Sequence, residues 1–181
     1  MKAIIQCYTP QECERIANGE QTVKVCKTAP KEVPFKVYIY QTKESKRRFL
    51  DHRFNSFFAG KSHYKDMGKV IGEFICDRVF EFKINGDDYG NYWHEWDDEG
   101  DIQDMCLSYE ELETYLGKSV GYGWHISELK IYDNLKKLSE FKKYNRTCKF
   151  SDLGYAIPNC KSCRDCNLNC PPRSWCYVEE N

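Results

Sequence analysis

NGEQTVKVCKTAP, residues 18–30, is the stretch that decides the fold, because it joins a helix end to a turn and a short strand. Thr9-Pro10 upstream predicts the start of that helix, since Thr caps helices and Pro suits their first turn. Gly19 predicts its end, in the left-handed conformation that glycine adopts easily. The alternation over 21–27 and the apolar run over 35–42 then predict two strands.

Further elements follow along the rest of the chain. Ser108 and Glu111 form a capping box, which predicts a helix that ends at Gly117. Strands are predicted over 2–8, 69–82 (as one long strand) and 120–126, and residues 85–105 are predicted to be an acidic loop. The order predicts an α+β fold, a small curled sheet or barrel of five to six strands with two or more helices.

Composition and charge set limits on the function. The chain has 181 residues, 41% hydrophobic residues and a net charge of −1, which suits one domain with an appendage and excludes a globally basic nucleic-acid binder. The charge is uneven along the chain, because residues 43–69 are mainly basic and residues 81–113 mainly acidic. A basic segment of this kind can attract phosphates, or it can be a solvated loop.

Targeting signals and cysteines indicate the compartment. We expect no signal peptide, because Met1-Lys2 leads directly into the first strand, and no apolar run reaches the about 18 residues that span a bilayer. The 11 cysteines are an odd number. We therefore expect a cytoplasmic protein that does not contact a membrane, with reduced thiols and a metal site rather than a disulfide framework.

An ordered set of segments resembles the ASCH family, a branch of the PUA-like small β-barrels. The matching residues are Gly19-Glu20, Thr22, Lys27, Tyr38-Ile39-Tyr40, Val70-Ile71-Gly72-Glu73-Phe74, Gly121-Tyr122-Gly123-Trp124-His125-Ile126 and Leu138-Ser139-Glu140-Phe141. The resemblance covers residues 1 to about 141 and implies a PUA-like barrel domain over residues 1–144. It also implies RNA or other nucleic-acid binding, with small hydrolytic reactions in a few members.

The resemblance also implies a cleft between the helix-to-strand turn and the neighbouring strands. Its expected lining is Gln21, Thr22, Lys24, Cys26, Lys27, Tyr40, Thr42, Glu73, Tyr122 and Trp124. The basic loop adds Lys46, Arg47 and Arg48 as expected nucleic-acid contacts. Such a set suits a nucleotide, because Lys attracts phosphate, an amide or Glu reads a base edge, and aromatic rings offer stacking faces.

Three positions depart from the family pattern. The family lysine is Gln21 here, the family Glu or Thr is Lys24, and the family Arg is Cys26. An amide is neither a base nor a nucleophile, which argues against an enzyme. The remaining catalytic candidates are Lys24 and Glu73, with Lys27 as a further lysine whose pKa burial could lower.

The C-terminal part, residues 145–181, is a cysteine-rich segment that we expect to be stapled by a metal and to dock on the barrel. Its core has the spacing C-x2-C-x2-C-x3-C-P from Cys160 to Pro171. Four thiolates from Cys148, Cys160, Cys163, Cys166 and Cys170 suit structural zinc, which we place first. The same spacing occurs in iron–sulfur proteins, and free thiols are a third interpretation.

The functional prediction is an RNA-binding or other nucleic-acid-binding ASCH-type module. One alternative is a small hydrolase that acts on a modified nucleoside or on RNA. Another is a protein-binding module of mobile-element origin, whose acidic loop 85–105 engages a basic partner. Salt dependence separates the first from the last, since phosphate contacts weaken steeply with salt.

Overall fold

The structure of the chain is a computed structural model that describes residues 2–43, 68–86, 92–96, 102–117, 120–144 and 167–180. The chain divides into two compact units. The first unit comprises residues 1–13, 36–73 and 130–181, and the second comprises residues 14–35 and 74–129. A boundary between a barrel domain and a tail at residue 144 stays a prediction.

The described residues contain nine strands and two α-helices, which confirms the α+β class. In chain order they are β1 (Lys2–Tyr8), α1 (Pro10–Ala17), β2 (Val23–Cys26), β3 (Phe35–Gln41), β4 (Lys69–Cys76), β5 (Val79–Gly86), β6 (Tyr92–Trp96), α2 (Tyr109–Leu116), β7 (Gly121–His125), β8 (Ser127–Lys137) and β9 (Trp175–Glu179). Short 3-10 helices lie at Ile102–Met105 and Leu138–Glu140. No helix in this described part is both long and apolar enough to cross a membrane.

The strands form two sheets. One has the order β8-β4-β3-β1-β9, and the other has the order β2-β7-β5-β6. In the first sheet β1 runs parallel to β3, with Ile5 opposite Tyr38, and antiparallel to β9. In the second sheet β7 runs antiparallel to both β2 and β5.

Each unit has its own hydrophobic core. The core of the first unit is built from fully or nearly fully buried residues of β1, β3, β4 and the C-terminal segment, among them Ile5, Tyr38, Phe141 and Val178. The core of the second unit packs β2 and β5 against α2 and the short helix before it. Val25, Phe82 and Leu112 lie in this second core.

The capping signals that mark the helices are confirmed. At α1, Glu12 N donates to Thr9 Oγ1 at 3.2 Å while Thr9 N donates to Glu12 Oε2 at 2.8 Å. At α2, Ser108 and Glu111 make the same reciprocal pair. These bonds satisfy backbone N–H groups that have no partner within the helix, and they therefore define where each helix begins.

Two details of the predicted strands were wrong. The single strand over 69–82 is two strands, because the chain leaves the first sheet after Cys76 and enters the second at Val79. The acidic loop 85–105 contains β6, which pairs with β5. The described residues therefore hold nine strands rather than five or six. Hydrophobic alternation shows that a segment is extended, but it does not show where the segment changes partners.

Gly121 and Gly123 lie where aromatic rings of β5 cross β7. Phe80 stands opposite Gly123 and Phe82 opposite Gly121. A Cβ on Gly123 would lie 2.2 Å from the Phe80 ring, and one on Gly121 would lie 2.7 Å from the Phe82 ring. The alternate glycines of this strand therefore leave room for two core phenylalanines, which explains why the segment reads Gly-x-Gly.

Candidate functional site

The turn between α1 and β2 is held by backbone hydrogen bonds on both sides. Glu20 N and Gln21 N donate to Arg15 O at 2.8 and 3.2 Å, and Gly19 takes the left-handed conformation with φ of 74°. Thr22 N donates to Asp104 O at 3.1 Å, and Thr22 O accepts from Ile126 N at 2.8 Å. The backbone before β2 is thus fixed, which positions the side chains that the sequence predicts to be functional.

Gln21 has an incompletely satisfied side chain. It is 3% exposed, and its Nε2 donates to Val23 O at 3.1 Å. Its Oε1 is buried and accepts no hydrogen bond from any described residue. The reverse amide orientation would turn Oε1 towards the Val23 carbonyl oxygen, and two acceptors cannot bond to each other. The hydrogen bond from Nε2 to Val23 O therefore fixes Oε1 as the atom without a partner. A buried acceptor without a donor costs about 1–3 kcal/mol, and native proteins usually satisfy such an acceptor with an ordered water, an ion or a ligand.

Four predicted site residues share one face of the second sheet. Lys24 stands opposite Trp124 and Cys26 opposite Tyr122 in the pairing of β2 with β7. Because side chains alternate along a strand, Val23 and Val25 point to the other face, into the core of this unit. The structure therefore brings Lys24 and Tyr122, both half-buried, to one surface.

Burial separates the predicted residues into two groups. Trp124 is 0% exposed and packs edge to face on Phe35 with ring centroids 5.1 Å apart, and Cys26 is 1% exposed. Although they share the face with Lys24 and Tyr122, these two side chains are covered, and a ligand would touch them only if they became exposed. Lys27 is exposed at the far end of β2, with its Nζ 4.9 Å from the centroid of the Tyr115 ring.

Glu73, Tyr40 and Thr42 lie in the first unit. Tyr132 Oη donates to Glu73 Oε2 at 2.5 Å, and Lys36 Nζ lies 3.9 Å from Glu73 Oε1 and 3.0 Å from Glu180 Oε1. The carboxylate of Glu73 thus already has two partners. Burial, followed by the hydrogen bond to Glu73, raises the pKa of Tyr132, so its hydroxyl stays a donor at neutral pH.

Tyr40 and Thr42, the other two predicted site residues in the first unit, differ in exposure. Tyr40 is 5% exposed and belongs to the core, where burial raises its pKa. Thr42 is half-buried, and its Oγ1 donates to Tyr8 O at 3.0 Å. Of this pair, only Thr42 is placed to meet a ligand as the structure stands.

The structure adds a pair that the sequence did not reveal. His125 Nδ1 lies 2.7 Å from Asp77 Oδ1, where the two ends of β4 and β7 meet. The hydrogen bond from His125 lowers the pKa of Asp77. Forty-eight positions separate the two residues, so no local pattern could have connected them. Tyr132, the partner of Glu73, was missed for the same reason.

Several predicted residues lie outside the described part of the chain. They are Lys46, Arg47 and Arg48 of the basic loop and Cys148, Cys160, Cys163 and Cys166 of the cysteine-rich segment. Cys170 is described and exposed. Within the described ranges no group of three or more His, Cys, Asp or Glu side chains could hold a metal ion. Zinc and iron–sulfur binding therefore stay predictions.

The fold is similar to that of solved ASCH proteins. The ASCH protein of Zymomonas mobilis is similar with a TM-score of 0.53 and 13% identity over 98% of this chain and 88% of that chain. A serine-to-alanine mutant of it gives a TM-score of 0.54 at 12% identity over 98% of this chain and 89% of that chain. A tyrosine-to-phenylalanine mutant gives 0.52 at 13% identity, over 99% and 92%.

Identity this low shows the fold alone. The structural similarity confirms, for the architecture, the ASCH resemblance that the ordered segments predicted. No protein-family model matches the sequence, and no curated protein matches it. The assignment of individual site residues stays a prediction.

Proposed function

We propose that this chain is an ASCH-type module that binds RNA at the surface around β2. The observation that carries the proposal is the buried Gln21 amide, whose Oε1 has no donor among the described residues. The ASCH fold supports it, since the family resemblance implies nucleic-acid binding. A closed PUA-like barrel, also implied by the resemblance, is part of this proposal.

The chemistry of Gln21 defines what the surface would recognise. One N–H of the Gln21 amide donates to Val23 O, and Oε1 is the acceptor that a ligand could reach. Its natural partner is an N–H group, such as the exocyclic amino group or ring N–H of a nucleobase. The Gln21 side chain is buried, so base entry requires neighbouring side chains to move locally.

Lys24 in β2 and Lys27 directly after it would supply the phosphate contacts. Lys24 is half-buried beside Tyr122, and Lys27 is exposed. An ammonium group attracts a phosphate as a point charge and fixes register without reading sequence. The basic residues Lys46, Arg47 and Arg48 would extend these contacts.

Fluorescence anisotropy tests the proposal with labelled single-stranded RNA, hairpin RNA and duplex DNA at two salt concentrations. We expect RNA to bind, with log K falling by about 0.7 per neutralised phosphate per log unit of salt for a single strand. Lys24→Ala should reduce both the affinity and this slope, while Lys31→Ala, an exposed lysine beyond β2, is the matched control. Absence of binding at low salt would refute the proposal.

The hydrolase alternative is tested at the same position. Gln21→Lys restores the family lysine and can keep a donor to Val23 O. Burial would lower the pKa of that lysine and make it a base. If acylated cytidine is turned over only by this variant, the fold has kept the capacity for hydrolysis and this chain has lost the base. Turnover by the unaltered chain, abolished by Glu73→Gln, would instead make it an enzyme.

Two other expectations become proposals with tests of their own. Zinc is proposed for the cysteine-rich segment on the spacing of its thiols. A basic protein partner is proposed for residues 85–105. If added RNA does not displace this partner from the chain, the partner binds at a surface other than the RNA-binding surface.

A further inference from the structure

Three aromatic side chains lie on the C-terminal strand β9 and on the segment that pairs with it. Tyr144, Trp175 and Tyr177, here called the C-terminal aromatic surface, all lie in the first unit. Residues 142–144 run antiparallel to β9, with Lys143 opposite Val178 and a hydrogen bond from Tyr144 N to Tyr177 O of 3.2 Å. Tyr144 therefore stands beside Tyr177, and Trp175 lies two residues along the same face, about 7 Å away.

The rings of this surface are partly exposed, and two of them pack perpendicular to each other. The Trp175 and Tyr177 rings are T-shaped, with centroids 5.3 Å apart and planes at 81° to each other. A perpendicular pair covers less ring face than a stacked pair does. Tyr144 is 36% exposed, and Trp175 and Tyr177 are half-buried. Val178 and Cys176 point to the opposite face and pack in or against the core of the unit.

Positive charge accompanies the rings. Lys2 Nζ lies 3.8 Å from the centroid of Tyr177 and 5.9 Å from that of Tyr144. Arg173, just before β9, is exposed. Glu179 is the nearby acid, and it has Lys142 Nζ at 3.9 Å. Rings interleaved with cations form the composition that holds single-stranded nucleic acid, since bases stack on rings and cations meet the phosphates between them.

We propose that the C-terminal aromatic surface is a second binding site, which stacks unpaired bases of single-stranded RNA. This inference rests on the proposed RNA-binding function and extends it to a surface that the family cleft does not include. Lys2 would exchange its ring contact for a phosphate, and Tyr144 would offer the most exposed face to a base.

The test uses the full chain and an oligouridine of about eight nucleotides, a length within the range that single-stranded sites occupy. The oligonucleotide carries 5-iodouridine, which forms photo-adducts with aromatic side chains on which it stacks. We expect adducts in the peptides that contain Tyr144, Trp175 or Tyr177. Tyr144→Ala should weaken the affinity by about fivefold or more, and Tyr144→Phe, which keeps the ring, should bind like the unaltered chain.

The outcomes separate this inference from the function on which it rests. If the unaltered chain binds RNA but its adducts lie elsewhere and Tyr144→Ala binds normally, the second site is refuted and the proposed function stands. If the chain binds no RNA at low salt, both fail. If Tyr144→Ala loses stability, adduct mapping on the unaltered chain still decides, because it needs no variant.

Discussion

Gly123→Ala tests how much the packing of β5 on β7 contributes to the stability of the second unit. A Cβ at this position would lie 2.2, 2.5 and 2.7 Å from three carbons of the Phe80 ring. Carbon atoms in contact are about 3.5–4.0 Å apart, so the ring must move by more than about 1 Å. Phe80 is only 4% exposed and lies in the core, where few empty sites can receive it.

The expected loss of stability follows from this displacement. Overpacking a core by a methyl group costs about 1–3 kcal/mol, and we expect the upper part of that range because the clash is with an aromatic ring. A domain stability of about 5–15 kcal/mol leaves the variant folded. Equilibrium urea unfolding followed by tryptophan fluorescence measures the change, and the denaturant slope should stay constant.

Two companion variants make the result decisive. Phe80→Leu removes the ring atoms that clash, so the loss for the double variant should be smaller than the sum of the single losses. Gly19→Ala is the control, since Gly19 has a φ of 74° but nothing within 4 Å of an added Cβ. It should cost only about 1–2 kcal/mol from the left-handed backbone. A Gly123→Ala variant as stable as the unaltered chain, or additive with Phe80→Leu, would refute the reasoning.

Three further predictions concern charge and metal. Tyr132→Phe should cost about 1–2 kcal/mol in chemical unfolding, because it removes a half-buried hydrogen bond to the Glu73 carboxylate, and an unchanged midpoint would contradict this. The pKa of Asp77 is lowered in the folded state, so its stabilisation is present above the unfolded value of about 3.9 and is lost as pH falls through the folded value. Asp77→Asn should therefore flatten the acid limb of stability against pH, and an identical limb would argue against the His125 pair. Anaerobically purified chain should carry about one zinc ion, reduced by Cys163→Ser, and visible absorbance with iron in place of zinc would favour a cluster.

The parts of the fold that depend on local chemistry could be predicted from the sequence. Thr9 and Ser108 cap the two helices through side chains three positions from their partners, so the signal is contained in four residues. Gly19 and Gly117, with φ of 74° and 62°, mark helix ends for the same local reason. The first strand is observed with the predicted bounds, Lys2–Tyr8.

The parts of the fold that depend on partners distant in sequence could not be predicted from the sequence. β4 and β5 look like one strand because only two residues, Asp77 and Arg78, separate them, and the change of sheet is set by their neighbours. β9 pairs with β1 across almost the whole length of the chain. Sequence patterns report exposure and extension, whereas pairing is decided by which surfaces meet.

The candidate site was predictable in part. The family resemblance predicted site residues in β2 and β7, and the pairing of these two strands places Lys24 and Tyr122 on one face. The sequence left open whether Trp124 and Cys26 are buried, because an alternating pattern does not say whether each face is covered. The partners of Glu73 also come from strands that are distant in sequence.

Residues of the family-like segments fall into two physical kinds, and the difference bears on function. Gly121 and Gly123 are explained by packing alone, since any Cβ would strike a core ring. Gln21 is not explained in this way, because its orientation leaves a buried acceptor at a cost in stability. A leucine would remove that acceptor, although it would also deprive Val23 O of its donor. The Gln21 amide, held in one orientation by its Nε2 hydrogen bond to Val23 O, is therefore the residue of this segment that packing alone does not explain.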